Sequence, residues 1–375
     1  MHGQNYGCDL QRYAMQQVLK RFGLRALLID YVPQKEGAPR VSAVRRFVAR
    51  LRPVPLAKMC LSFLDQRRDF FRRFERTFLE ATEPFGDYSA MERGTARFDC
   101  CVAGSDQIWN PSLCRGETNC RFFMLDFVPA GKKISYAPSL GVSEVEPDFA
   151  DRLKRYLSSF DWLSVREREG AEILRFLLGR EVDVVLDPTM LLTAADWDRV
   201  GNTARRYPFQ KKEYLLCYSL GNTDQVLKAA RRLNALYRAR IAVFCYSPLD
   251  FLRLKYKCPE SLPILNAGPA EFVDLIRSAV CVVTDSFHGS IFSILYHRPF
   301  WTMMRDRRTG AFSMNSRIKT LFETFHLEER LFDPNDFTPE VREIDHAAVE
   351  EILLRQRASS FNRLEGGLRK VLCDG

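Results

Sequence analysis

Residues Val280 to Ser293 read VCVVTDSFHGSIFS. The apolar run Val280 to Val283 is short and lacks polar alternation, the pattern of a strand buried on both faces in a parallel sheet. Thr284, Asp285 and Ser286 follow at its carboxyl end, and His288 and Gly289 then open a helix expected over Gly289–Tyr296. Strand, polar turn and helix in this order make one unit of a doubly wound α/β fold, in which ligands meet the carboxyl ends of strands. A histidine placed there can present one ring nitrogen to a cleft while Asp285 or a backbone carbonyl holds the other, as a general acid requires. The competing reading is a histidine that caps its own helix.

The same alternation runs outward in both directions. Downstream of residue 200, strands are expected at Tyr214–Ser219, Ile241–Cys245, Pro263–Asn266, Val280–Thr284 and Pro299–Met303, with helices at Thr223–Tyr237 and Pro269–Ser278 between them. Upstream, strands are expected at Leu24–Tyr31, Phe98–Ala103, Lys133–Ala137, Trp162–Val165 and Val182–Leu186, with helices such as Leu10–Arg21, Phe70–Leu79 and Asp148–Ser158. Each series suffices for one doubly wound domain. They meet at DPTMLLTAADW, from Asp187, where a proline follows a buried strand and a capping residue precedes a helix. The expected division is residues 1–190, 191–345 and a closing helix over 346–375. A further strand would be expected before Gly3, yet the sequence opens with Met1 and His2, so the first sheet is expected to lack it or the chain to continue upstream.

Three other segments place polar groups where a cleft would lie. Gly3 to Gln11, GQNYGCDLQ, is a glycine-bearing turn entering a helix, and it offers Asn5, Gly7 and Gln11 beside amides that attract anions; a plain capping turn is the competing reading. Ala103 to Pro111, AGSDQIWNP, follows an apolar strand and presents Ser105, Asp106, Gln107 and Asn110; the alternative is a polar turn over Trp109. Trp162 to Gly170, WLSVREREG, sets Arg166 and Arg168 at a strand end, and Arg305, Arg307, Arg308 and Arg317 follow the last strand. A planar guanidinium is the preferred clamp for carboxylate and phosphate.

Composition bounds the function. At 375 residues the chain exceeds one ordinary core, and 46% hydrophobic with 27% charged residues describes a folded globular protein. No apolar run of about 18 residues that could span a bilayer is present. Nothing at the N-terminus resembles a secretion signal, and the eleven cysteines are odd in number, scattered and without CxxC spacing. A cytoplasmic protein with no structural metal is expected. The formal charge is +9, but eleven basic and three acidic residues leave +8 between Arg40 and Arg76 alone. One basic segment points to a local anionic partner rather than to nucleic acid. Its arginines alternate with Phe47, Leu51, Leu61, Leu64, Phe70, Phe71 and Phe74, so a peripheral contact with anionic headgroups at the inner face of the membrane is one expectation. A helix packed on its own domain with arginines in water is the other.

Seven blocks, NYGCDLQRYAMQQVLKRFG, VAGSDQIWNP, ISYAPSLG, LSVREREG, VVLDPTMLL, TDSFHGSIFSILYHRPF and NSRIKTLFETF, occur in one order over about residues 3 to 325. Together they resemble the polysaccharide pyruvyl transferase family. The resemblance implies two facing Rossmann-like domains of the glycosyltransferase type B kind. It also implies transfer of a pyruvyl group from phosphoenolpyruvate to two hydroxyls of a sugar, as a ketal, on a cell-surface glycan or its lipid-linked precursor. No cofactor or metal is implied beyond the donor substrate. By the same resemblance His288 is the catalytic acid. Arg166 and Arg317 match the family's arginines in a donor site, to which Ser286 and Gly289 add from the histidine turn. Asp285 there, and Asn5, Gly7, Gln11, Ser105, Asp106 and Gln107 in the first domain, the expected acceptor side, are expected to bind substrate. The sequence departs from the pattern at Phe287, where many members carry an arginine that holds the donor; Arg305, Arg307 or Arg317 replaces it, or the donor differs. Two alternatives remain, a nucleotide-sugar glycosyltransferase of the same fold and a non-catalytic protein of glycan assembly. A hydrolase relay of Ser286, His288 and Asp285 is a poor reading, because residues so close on one turn do not easily form a relay and no nucleophile elbow is present.

Overall fold

The structure is a computed structural model that describes residues 5–31, 55–114, 116–207, 209, 212–221, 223–304, 316–333, 337–338 and 343–372. The amino half of the basic segment, Gly3, and Arg305, Arg307 and Arg308 lie outside the described residues.

The N-terminal half comprises α1 (Tyr6–Arg21), α2 (Pro55–Phe78), α3 (Tyr88–Thr95), β1 (Cys101–Asp106), α4 (Glu117–Phe123), β2 (Lys133–Pro138), α5 (Pro147–Leu157), β3 (Ser164–Val165), α6 (Arg168–Leu178) and β4 (Asp183–Val184). The chain then passes through α7 (Pro188–Leu191) and α8 (Ala194–Gly201). Proline at the first position of α7 and a Thr193–Asp196 capping box on α8 set these starts. Next come β5 (Tyr214–Tyr218), α9 (Thr223–Tyr237), β6 (Arg240–Phe244), α10 (Pro248–Lys257), β7 (Leu262–Ile264), α11 (Pro269–Ser278), β8 (Cys281–Thr284), α12 (Phe287–Leu295), β9 (Phe300–Met303), α13 (Ser316–Phe325), β10 (Leu331–Phe332) and α14 (His346–Leu372).

All ladders are parallel. In the C-terminal half the order is β10-β9-β8-β5-β6-β7, so the chain winds outward from β5 on one side, returns, and winds outward from β8 on the other. The switch point therefore lies between β5 and β8, directly below the histidine turn. In the N-terminal half β1 pairs β2 and β3 pairs β4, joined through a bridge from Ile134 to Trp162. The run Leu24–Tyr31 forms no strand: it contracts to one bridge from Leu28 to Ala81. The side-chain amide of Gln16 donates to the carbonyls of Ala26 and Glu80, pinning both segments of that bridge to α1.

One apolar cluster crosses between the halves. Tyr6, Leu10 and Tyr13 of α1 pack with Phe71 and Phe74 of α2, Trp197 of α8, Phe272 of α11 and Phe292 of α12. Each side chain so buried contributes roughly 1.5–3 kcal/mol. The α1 helix is thus the shared wall of the two halves, and its amino end stands at the switch point.

Candidate active site

Parallel strands deliver five segments to one place. The end of β1 gives Ser105 and Asp106; the end of β3 gives Arg166 and Glu167; the turn after β4 gives Asp187; the turn after β8 gives His288; and the start of α1 gives Gly7 and Cys8. All except Asp106 and Cys8 are buried.

Asp187 is the hub. Its Oδ2 accepts from Ser105 Oγ at 2.9 Å and Arg166 Nη1 at 2.9 Å, and its Oδ1 accepts from the backbone and hydroxyl of Thr189 at 3.0 and 2.7 Å. Arg166 donates from Nη2 to Asp106 Oδ1 at 3.0 Å, and its Cζ lies 4.4 Å from the centre of the Phe287 ring. Asp106 completes the chain by accepting from Cys8 Sγ at 3.0 Å. Its backbone holds φ at 64°, a left-handed conformation that a carboxylate-bearing residue tolerates better than most. Burial raises the carboxyl of Asp106, but Arg166, then His288 and the Cys8 bond, outweigh it and hold the group well below the usual range. Asp187 is likewise lowered: burial opposes its charge, and His288, Arg166 and the Thr189 bonds overcome that opposition. Burial first and the Asp106 charge second push the Cys8 thiol well up, so it stays protonated and donates.

His288 is the second residue of α12. Ser286 caps that helix, its Oγ accepting from the Gly289 amide at 3.3 Å. The imidazole Nε2 lies 3.8 Å from Asp187 Oδ2 and makes no hydrogen bond among the described residues. Its ring rests on Gly7, where an added Cβ would fall 2.0 Å from Nδ1. Glycine is required at that position so that α1 and α12 can approach. Burial lowers the histidine below its ordinary value, with Asp187 and Asp106 pulling upward and Arg166 and Arg317 adding to the fall. A ligand bringing negative charge would shift the balance toward the imidazolium.

The remaining sequence-predicted residues divide by place. Asp285 does not reach the imidazole: its carboxylate accepts from Ser219 Oγ, Leu220 N and Gly221 N at 2.8, 2.7 and 2.9 Å, tying the end of β5 to the end of β8. Gly289 packs on Thr284, whose Oγ1 would lie 2.6 Å from a Cβ there. Asn5 caps α1 by accepting from Gly7 N at 3.0 Å, and Gln11 is buried further along that helix. Gln107 accepts from Asn110 Nδ2 at 2.9 Å, and both converge with Arg317 on Gly141. A Cβ on Gly141 would lie 2.8 Å from Gln107 Oε1 and 3.4 Å from Arg317 Nη1. The Gly141 and Leu140 amides donate to Glu167 Oε1 at 3.0 and 2.7 Å. Burial raises Glu167, against the lowering pull of Arg166 and the Gly141 amide.

Sequence reading did not single out Asp187, Cys8, Glu167 or Thr189. Asp187 sits in VVLDPT, a carboxylate directly after an apolar run, and that strand-end position is the signal that could have found it. Among the described residues no group of three or more potential ligands could hold a metal ion.

Comparison with known proteins agrees with this geometry at the level of fold. The S. aureus MnaA structure with UDP superposes with TM-score 0.53 at 11% identity, covering 98% of this chain and 95% of that one. UDP-GlcNAc 2-epimerase from Neisseria meningitidis bound to UDP-GlcNAc gives TM-score 0.49 at 10% identity over 94% and 98% of the two chains. AviGT4, a glycosyltransferase involved in Avilamycin A biosynthesis, gives 0.42 at 13% over 98% and 90%. The fold is the expected α/β one, two facing Rossmann-like halves of glycosyltransferase type B kind closed by a C-terminal helix. No curated protein matches the sequence. The family model for polysaccharide pyruvyl transferases spans residues 5–307, which takes in β1, β8, both strand-end turns and His288, and the chain therefore belongs to the polysaccharide pyruvyl transferase family.

Proposed function

We propose that the protein transfers a pyruvyl group from phosphoenolpyruvate to a pair of hydroxyls on a glycan sugar, with His288 as the acid. The carrying observation is the buried Nε2 of His288, which makes no hydrogen bond among the described residues and lies 3.8 Å from Asp187 where the two halves meet. A ring nitrogen kept out of water and out of internal bonds is available to a substrate proton. In this reading the anionic donor raises the histidine into its charged form, and the imidazolium protonates the methylene carbon of the donor. One sugar hydroxyl then adds to C2. Phosphate departs with its electron pair and one hydroxyl proton, the second hydroxyl closes the ketal, and the other hydroxyl proton restores the imidazolium.

Arg166, between Asp106 and Asp187, fixes the carboxylates that face the imidazole. Phe287 covers the guanidinium of Arg166; in this reading Arg317, at the Gly141 turn, takes the part of the donor clamp that many members carry at that position. A nucleotide-sugar reading would use the cavity of about 280 Å³ beyond β5 and β6. Asp224 and Asp250 line that cavity together with Arg253 and Lys257, and Lys257 is ion-paired to Asp224 at 2.5 Å.

The test is calorimetry with phosphoenolpyruvate, and with UDP-sugars for contrast, beside turnover of a diol sugar acceptor. Binding of phosphoenolpyruvate and an about 100-fold or greater loss of turnover in a folded His288→Gln variant are expected. Nucleotide binding without phosphoenolpyruvate binding would transfer the assignment to glycosyl transfer, and near-normal turnover by His288→Gln would remove the histidine from the chemistry.

A further inference from the structure

The α10 helix, PLDFLRLKYK, turns Leu254 and Pro248 to the core but leaves Leu249, Leu252 and Tyr256 exposed at 60%, 46% and 89%. Their i, i+3, i+7 spacing places all three on one side of the helix. Arg253 is exposed within that stripe and Lys257 at its edge. Single exposed leucines are ordinary on a surface, whereas three large apolar side chains aligned on a ten-residue helix form a patch.

Beside this stripe lies α2, which packs against α10. The guanidinium of Arg67 joins them, its Cζ 4.6 Å from the ring centre of Tyr246 just before α10. The inner face of α2 holds Arg67, Phe71 and Phe74, all buried. Its outer face carries Arg68, Arg72, Arg73 and Arg76, all exposed, with Asp69 and Glu75 the acidic residues among them. Apolar anchors including a tyrosine, flanked by a field of arginines, match the layering of an anionic bilayer surface, in which acyl chains lie under phosphate headgroups.

We propose that the α2–α10 face docks this protein peripherally on an anionic membrane, with Leu249, Leu252 and Tyr256 entering the interface and the α2 arginines meeting headgroup phosphates. No described helix is long and apolar enough to cross a membrane. The inner side of α2 stacks on Tyr6, the residue before Gly7, with ring centres of Tyr6 and Phe71 5.2 Å apart. The inference does not depend on the identity of the donor.

The experiment is sedimentation of the full chain with phosphatidylcholine vesicles and with vesicles containing phosphatidylglycerol, at low and high salt. Binding to the anionic vesicles that weakens with salt is expected. Two triple variants separate the contributions, Leu249→Ser/Leu252→Ser/Tyr256→Ser and Arg68→Gln/Arg72→Gln/Arg76→Gln. Each should lower vesicle partition about 10-fold while thermal melting stays unchanged. Absence of binding to anionic vesicles, equal binding to both lipid types, or full binding by either triple variant would overturn the proposal. So would a dimer of the chain that the apolar triple variant dissociates, since the stripe would then be a contact between copies.

Discussion

Arg166 carries its charge where almost no water reaches, with 1% of its side chain exposed. Both terminal nitrogens are engaged with carboxylates, and an aromatic ring covers the guanidinium. Truncation would leave Asp187, wholly buried, beside Asp106 with no cation between them. Removing one partner of such a cluster costs about 3–5 kcal/mol, because the remaining charges stay desolvated. Arg166→Ala is therefore expected to lose that much stability in urea unfolding, and Arg166→Ala/Asp187→Asn to recover part of it. A stable Arg166→Ala protein whose sole defect is donor affinity would show instead that the arginine contacts the donor and does little for the fold. The histidine is legible in the sequence because strand, turn and helix are contiguous there. The partnership of Arg166 with Asp187 is not, because it joins ends of two strands and needs Ser105, 82 positions away, to complete it. Asp285 is the converse case: adjacency to His288 suggests a role in the site, while the fold turns its carboxylate onto the β5 loop.

At the scale of elements α1 holds an unusual passenger. Asp9 is buried in its first turn, with Arg12 on Oδ1 at 3.0 Å and, among the described residues, no hydrogen bond to Oδ2. Burial, only partly offset by Arg12, pushes its carboxyl up to about 7. The folded protein thus binds this proton more tightly than the unfolded chain does. Ionisation then subtracts stability as pH rises from the ordinary carboxylate range through about 7, and the full penalty is present above it. Asp9→Asn should stabilise the protein at about pH 8 by on the order of 2–4 kcal/mol and much less at about pH 4, in paired urea titrations. Equal effects at both would place the cost of Asp9 elsewhere than in its charge. The strands differ in how well they can be read. β5 and β8 stand out as unbroken runs without charge since both faces are covered, whereas Leu24–Tyr31, apolar but for Arg25 and Asp30, finds one bridge, because pairing depends on a partner that local sequence does not reveal. The two-residue β10 carries too little pattern to register.

Over the whole molecule α14 ties the halves together. Ser360 accepts from the Leu186 amide, Arg357 donates to the carbonyls of Met190 and Leu192, and Gly367 lies against the Trp162 ring. At its start His346 stacks on His297, with ring centres 4.9 Å apart. The approach of Gly7 to His288 belongs to this scale as well, and so does the bond from Tyr6 to the Ala267 carbonyl, made across 261 positions of sequence. Contacts of that span carry the full entropy of closing a long chain loop, and they are late rewards in folding. In refolding from denaturant, helix ellipticity should therefore return before catalytic turnover, with activity following the slower event that seats α1 between the two sheets. Simultaneous recovery of both signals would mean that the halves dock before their own layers are complete. A candidate site assembled from the first turn of α1 and a segment nearly three hundred residues later is, in kinetic terms, a clock that starts only when the last long-range closure has been made.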